Sequence, residues 1–305
     1  MKRSDETMEL KNLKTFAKIA QYKSFSKTAE TLGYAQSTIT TQIQLLEQEL
    51  GTKLFERIGR RVELTAHGTI FLQYVNKIID LADKAKDSID ESNTPKGTLR
   101  IGVVESICTM RLPEILKTYH MKYPKVDIVI KLGFCSELRA MLKNNTVDVV
   151  FILDKEVEKE EFTSSLSLAE PMVIVAAAGN RLQNKRQLTV QDLADESLIL
   201  TEQGCSYRCA LESIFNKNGI QPHTLLEVGN IETIKSFVKS NLGITLLPLM
   251  TVKKEIANQE LIVLDIAECQ FNMNRQILYL KKKYLTAAMQ AFISLAIENE
   301  KIKKQ

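Results

Sequence analysis

The side chains best equipped for chemistry in this chain are five cysteines (Cys108, Cys135, Cys205, Cys209, Cys269) and three histidines (His67, His120, His223). They are scattered, with no C-x-x-C pair and no Cys/His spacing of a zinc site, so no metal and no cofactor is expected. A G-x-S-x-G elbow, a phosphate-cradling glycine loop and H-E-x-x-H are all missing from the sequence. No catalytic residue is therefore assigned, and the chain does not read as an enzyme. Thiols odd in number fit a reducing cytoplasm better than a disulfide framework.

What remains is recognition chemistry, concentrated in residues 36–61. Ile39, Ile43, Leu46 and Leu50 form one stripe of a helix spanning Gln36–Leu50. Opposite and beside it stand Gln36, Ser37, Thr38, Thr40, Thr41 and Gln44. A helix face of small hydrogen-bonding side chains can approach base edges closely. Glutamine can pair with adenine, and a threonine methyl can touch the thymine methyl. A few residues on, Arg57, Arg60 and Arg61 make the densest arginine cluster in the chain, around Gly59 between two short extended runs. Arginines on such a wing suit phosphates or a narrow minor groove.

The elements that must position these groups are legible as periodicity. Leu10, Leu13, Phe16, Ala17 and Ala20 mark a first helix. Ser24 or Ser26 caps a second, with Ala29 and Leu32 inward, and Gly33 ends it before the third. These are the proportions of a helix-turn-helix followed by a β-wing. Phe71, Tyr74, Ile78, Leu81, Ala85 and Ile89 then recur at steps of three and four, the stripe of a long helix that calls for a partner helix. Residues 92–97 punctuate the chain as a linker. Beyond them apolar strands (99–104, 126–132, 147–152, 172–177, 197–200, 225–228, 243–247, 261–264, 275–280) alternate with helices, which argues for α/β sheets rich in parallel pairs. The charge balance, 41 basic against 37 acidic residues, is only mildly basic. No membrane-length apolar run and no signal peptide are apparent, so a cytoplasmic protein with no membrane partner is expected.

The run Gln36-Ser37-Thr38-Ile39-Thr40-Thr41-Gln42-Ile43-Gln44-Leu45-Leu46-Glu47 resembles the recognition helix of LysR-type transcriptional regulators. Leu54-Phe55-Glu56-Arg57 and Val62-Glu63-Leu64-Thr65-Ala66-His67-Gly68 resemble that family's wing and its entry into a linker helix. Leu112-Pro113, Tyr123-Pro124, Val147–Val150 and Gly243–Pro248 resemble landmarks of its effector domain. The resemblance implies a winged helix-turn-helix domain (1–66), a dimerising linker helix (67–93) and an effector-binding domain (94–305) like a type 2 periplasmic binding protein. Its lobe I would be about 94–167 and 269–305, and its lobe II about 168–268. It also implies a homodimer or homotetramer that binds interrupted palindromes in double-stranded DNA, answers a small-molecule effector and meets RNA polymerase. Thr40 and Thr41 stand where many members have serine and some have arginine, so fewer guanines should be read and A·T-rich half-sites preferred.

In a two-lobed α/β fold, ligands sit beyond the carboxyl ends of strands, near helix N-termini. Three strand-to-helix loops qualify: 105–109, 133–136 and 201–206. They supply Ser106, Thr109, Phe134, Cys135, Ser136, Thr201, Gly204 and Cys205 as the expected effector site. Helix N-termini favour anions, so a small anion bridging the lobes is expected, with Arg139 or Arg208 placed to assist it, although surface salt bridges are the more ordinary role for both. Peroxide-sensing relatives use cysteines in this region, which leaves a Cys205/Cys209 redox-sensing regulator as the alternative. Here, however, the cysteine comes one residue early relative to Arg208.

Overall fold

The computed structural model describes residues 8–58, 61–89, 94–157, 160–221 and 223–302; for residues 58, 61, 84 and 86–89 it describes the backbone alone. The chain divides into two compact units between Asn93 and Thr94.

The N-terminal unit builds on α1 (Leu10–Tyr22), α2 (Phe25–Leu32), α3 (Gln36–Leu50), a hairpin of β1 (Phe55–Ile58) and β2 (Arg61–Leu64), and α4 (Ala66–Ile89). Ser24 caps α2 by accepting the Lys27 N–H at 3.2 Å. Ser26 instead donates to Gln36 Oε1 at 2.9 Å. Gly33 (φ 67°) and Gly51 (φ 64°) end α2 and α3 in the left-handed region that glycine enters without penalty. The core gathers Leu13, Phe16, Ile19, Ala29, Ile39, Ile43, Leu46, Leu54 and Val75. Leu50, expected on the buried stripe, is exposed, because it is the last residue of α3. Gln42 and Glu47 are buried instead. Gln42 Oε1 accepts the Thr15 hydroxyl at 2.7 Å.

Thr65 starts α4, its Oγ1 accepting the Gly68 N–H at 2.9 Å. A Cβ on Gly68 would lie 2.1 Å from the Leu54 carbonyl oxygen, so glycine is what lets the helix pass the hairpin this closely. The 24 residues of α4 extend about 36 Å. The expected single stripe divides into two faces. Phe71, Leu72, Val75 and Ile79 pack on the unit's own core. Ile70, Tyr74, Ile78 and Leu81 are exposed at 56, 59, 39 and 67%.

The second unit holds β3 (Gly97–Val103), α5 (Glu105–Met110), α6 (Leu112–Lys122), β4 (Val126–Leu132), α7 (Cys135–Lys143), β5 (Val149–Asp154) and β6 (Phe162–Ala169). It continues with β7 (Met172–Ala177), β8 (Ser197–Leu200), α8 (Ser206–Lys217), β9 (His223–Glu227), α9 (Ile231–Lys239), β10 (Thr245–Pro248), α10 (Leu249–Ala257), β11 (Leu261–Leu264), β12 (Asn274–Leu280) and α11 (Ala287–Ile302). Lobe I is a five-stranded sheet in the order β4-β3-β5-β12-β6. Only β4-β3-β5 run parallel; β12 pairs antiparallel with both β5 and β6. The apolar run of β5 is buried on both faces, as a central parallel strand requires. Lobe II contains an antiparallel β10-β7-β11 sheet and a parallel β8-β9 pair. The sheets are thus more mixed than the alternation of strands and helices suggests.

Glu170 and Pro171 carry the chain from β6 of lobe I into β7 of lobe II, and residues 265–273 carry it back. Two of the charges buried at these crossings pair directly: Arg275 Nε lies 2.8 Å from Glu170 Oε2. Arg275 also meets Glu300 of α11, whose Oε1 is 3.7 Å from Arg111 Nε.

Candidate nucleic-acid interface and effector cleft

Gln36, Ser37, Thr38, Thr41 and Gln44 are exposed on α3, and Thr40 is half-buried. The Thr40 and Thr41 hydroxyls donate to the carbonyls of Gln36 and Ser37 at 2.9 and 3.0 Å. With those donors used on the helix itself, what each threonine offers a partner is a methyl and an acceptor oxygen. Ser26 fixes Gln36 by its Oε1, leaving the amide N–H₂ to donate outward.

Gln36, Thr40, Gln44 and Arg57 line one hollow of about 230 Å³ between α3 and the hairpin. Arg57 is exposed at its rim. Arg60 lies outside the described residues, and of Arg61 only the backbone, paired with Ile58 in β2, is described. Lys53 also lines the hollow, and sequence reasoning missed it. It is tied to Glu47 of α3 at 2.6 Å. Glu47 also accepts the Leu54 N–H at 2.9 Å, so this buried carboxylate fastens the wing to the polar helix. Its spacing from Lys53 was the one available signal, a Glu–Lys pair straddling the helix-ending Gly51.

In the second unit a cavity of about 420 Å³ opens between the lobes. Ser106, Phe134, Cys135, Thr201 and Cys205 line it, five of the eight expected residues. Gly204 (φ 94°) lies beside the Phe134 ring but does not line the cavity. Two expected residues stand elsewhere. Thr109 is exposed, its hydroxyl donating back to the Glu105 carbonyl at 3.0 Å. Ser136 is exposed and lines a separate hollow with Arg139 and Lys143. Ser136 follows inward-facing Cys135 on a helix, where one step along the chain turns a side chain by about 100°, whereas Thr109 lies a full turn beyond the cleft-lining Glu105 and Ser106.

Sequence reasoning missed Glu105, Glu202, Tyr207, Gly229 and Asn230, all of which line the cleft. Glu105 of lobe I crosses to lobe II, accepting the Asn230 amide at 2.9 Å and the Ile231 N–H at 3.3 Å. Burial foremost, and then the charges of Glu202 and Glu232, push the Glu105 carboxyl above its ordinary value, against those two donors. The two arginines near the cleft loops are engaged in salt bridges and do not line the cavity, although that of Arg208 is buried and not at the surface as expected. Arg139 pairs with Asp154 at 2.6 Å. Arg208 is buried, paired with Glu227 at 2.6 Å and Glu212 at 2.7 Å.

Burial also governs the thiols. It pushes Cys135 up to about 12 and raises Cys205, despite the N–H groups of Tyr207 and Arg208 beside that sulfur. Cys209, on α8, is exposed. Among the described residues no group of three or more His, Cys, Asp or Glu side chains is arranged to hold a metal ion. None of the described helices is long and apolar enough to cross a membrane.

Comparison with known proteins adds independent findings. Residues 10–69 match the family model of the bacterial regulatory helix-turn-helix protein, lysR family, and residues 92–301 match that of the LysR substrate binding domain. The chain is 39% identical over 290 residues to the uncharacterised HTH-type transcriptional regulator YwqM of Bacillus subtilis, covering 94% of this chain and 98% of that protein. Among solved structures, a full-length OxyR variant from Pseudomonas aeruginosa superposes with a TM-score of 0.74 at 22% identity, covering 96% of this chain and 94% of that one. Full-length CbnR complexed with its target DNA superposes with a TM-score of 0.63 at 20% identity, covering 95% and 99%.

Proposed function

This chain belongs to the LysR family of bacterial transcriptional regulators, and we propose that its N-terminal unit reads A·T-rich half-sites while the inter-lobe cleft holds the controlling small molecule. It is a DNA-binding regulator and not an enzyme. One observation carries the DNA reading: Gln36, Thr40, Gln44 and Arg57 share a hollow between an exposed polar helix face and the wing. The fold is that of CbnR, which has been solved on its target DNA.

Two copies would place their α3 helices in successive major grooves about 34 Å apart, giving an interrupted palindrome. The exposed apolar face of α4 (Ile70, Tyr74, Ile78, Leu81) suits the coiled pairing that joins them as a homodimer, from which a tetramer can be built. Effector binding then shifts the lobes only so far as the ligand prefers one arrangement over the other. That shift changes the DNA geometry presented to RNA polymerase.

Site selection on the full-length protein is expected to return A·T-rich half-sites. Gln44→Ala should cost about 1–3 kcal/mol on the selected site and far less on random DNA, because a missing base contact removes discrimination rather than general affinity. The triple change Arg57→Ala, Arg60→Ala, Arg61→Ala should weaken all DNA alike. It should also flatten the slope of log K against log salt by roughly 0.9 for each phosphate no longer neutralised. Recovery of G·C-rich half-sites, or an unchanged salt slope, would refute the assignment.

The redox alternative gains no support from the thiol environments. A reactive thiol needs an easily formed thiolate, whereas Cys205 and Cys135 are buried with raised pKa values. Titration of the native protein with an aromatic disulfide reagent should modify Cys209 rapidly and Cys205 and Cys135 only on unfolding. Peroxide should leave DNA affinity unchanged in the wild type and in Cys205→Ser alike. A peroxide-dependent affinity change that Cys205→Ser removes would reinstate redox sensing.

A further inference from the structure

Helix N-termini facing a cleft ordinarily invite anions. Here the chain's own groups already occupy two of them in part. At α7, Glu137 Oε2 accepts the Phe134 N–H at 3.0 Å. At α9, Asn230 Oδ1 accepts the Thr233 N–H at 2.9 Å and Glu105 takes that of Ile231. At α8, the N-cap residue is Cys205, whose side chain makes no capping hydrogen bond. No lysine, arginine or histidine among the described residues lines the cavity. At α7 and α9, donors on which the expected anion would depend are therefore taken by the chain's own side chains.

What the cavity does present is acceptor chemistry. Glu202 lines it from lobe II, and its carboxylate makes no hydrogen bond or ion pair among the described residues. That carboxylate lies where a side chain on residue 229 would be: a Cβ there would sit 1.8 Å from Glu202 Oε1, so glycine makes the room. Glu105 faces it from lobe I, close enough for the two charges to be felt. Independently, Ser106 Oγ is buried (2% residue exposure), lines the cavity and has no hydrogen-bond partner among the described residues. Thr201 Oγ1 is also buried and has no hydrogen-bond partner among the described residues. Phe134 and Leu132 supply apolar wall. A buried hydroxyl left without a partner costs free energy, which a bound donor recovers.

We propose that the cleft selects a small organic cation, a protonated primary amine on an apolar body, clamped between Glu202 of lobe II and Glu105 of lobe I. An ammonium carries three N–H donors and no acceptor. Two carboxylates and the Ser106 hydroxyl match that count, while Phe134 offers an aromatic wall to the apolar body. The clamp also supplies the switch. With the cleft empty, like charges on opposite lobes work against the cross-lobe bonds of Glu105 to Asn230 and Ile231; a cation between them turns that repulsion into attraction and so favours the closed arrangement. The proposal rests on the effector-cleft reading above and adds the ligand's charge to it.

The test is thermal unfolding of the full-length protein with benzylamine, benzyl alcohol and benzoate at millimolar concentration, matched ionic strength and near-neutral pH. These probes share one apolar body and differ in charge. Benzylamine alone is expected to raise the melting temperature of the C-terminal unit. Glu202→Gln should weaken its apparent affinity by about tenfold or more. Gly229→Ala should do the same, because its Cβ displaces the flexible end of Glu202 rather than any backbone. Stabilisation by benzoate, or benzylamine stabilisation that survives in Glu202→Gln, would overturn the cation assignment while leaving the cleft as the effector site. No shift with any probe overturns it as well. DNA binding, measured separately by gel shift, judges the regulator reading on its own.

Discussion

Replacing Glu300 with alanine is expected to destabilise the C-terminal unit by about 3–5 kcal/mol, the cost of leaving a buried charge without its partner. Glu300 is 1% exposed, on α11, and meets both Arg275 and Arg111. Truncation leaves Arg275 with Glu170 alone and Arg111 with no carboxylate in ion-pair contact among the described residues. For a unit of this size the change corresponds to a fall in melting temperature on the order of 10 °C. The double variant Glu300→Met, Arg275→Met should recover much of the loss, since removing both charges together avoids an orphan. It leaves Glu170 near Arg111, whose charge also acts on that carboxyl. The network has a functional side. Glu170 sits where the chain passes from lobe I to lobe II, and Oε1 of its carboxylate faces the Met250 N–H of α10 at 3.4 Å. Calorimetry of the wild type and both variants checks the prediction; a loss below about 1 kcal/mol in Glu300→Ala would show that solvent reaches the site and that the charges do not depend on one another.

The second large effect belongs to the N-terminal unit. Phe16 is fully buried, with its ring centroid 5.1 Å from both Phe55 of the hairpin and Phe71 of α4. It therefore joins wing, helix-turn-helix and linker helix in one contact. Phe16→Ala should cost about 3–5 kcal/mol, the transfer term plus the cavity left behind. A small domain has a total stability of only about 5–15 kcal/mol, so this is a large share of it. DNA binding should be lost or become strongly temperature-dependent, while the melting transition of the C-terminal unit stays in place. Phe16→Leu, which fills most of the volume, should restore binding. Gel shifts across a temperature series, paired with calorimetry, distinguish this from removal of a DNA-touching side chain: Phe16 meets no solvent and cannot be one. Unaltered DNA affinity at all temperatures would mean the three elements hold together without it.

The parts legible in the sequence are those set by short-range physics. The bounds Gln36–Leu50 follow from an apolar period near four and from Gly33 and Gly51, each of which takes a left-handed conformation. The hairpin after it and the cleft loops after β3, β4 and β8 follow from the same local signals. The strand Phe162–Ala169 does not. Its apolar alternation (Phe162, Leu166, Leu168) is broken by Ser164 and diluted by serines, and it is made a strand by pairing with β12, more than a hundred residues away. The long helix shows the intermediate case. Its period is readable, but which residues face the core and which face outward depends on where α1 and the hairpin lie.

The polar groups of the cleft give the sharpest difference. From the sequence alone, three helix N-termini beside a cleft favour an anion, because their N–H groups have no local partner. In the folded chain Glu105 reaches Ile231 and Asn230, which are 126 and 125 residues away along the chain, and takes a donor at the N-terminus of α9. What the amino-acid order determined by itself is therefore the identity and extent of the helices, the wing and the loops, since backbone preference and side-chain period act over a few residues. Which buried charges are paired, and which polar groups in the cleft are still free to bind, was decided by the tertiary structure. Coulomb and hydrogen-bond energies depend on distance in space, and the chain brings Glu105, Arg111, Glu170, Arg275 and Glu300 to their partners only when it folds.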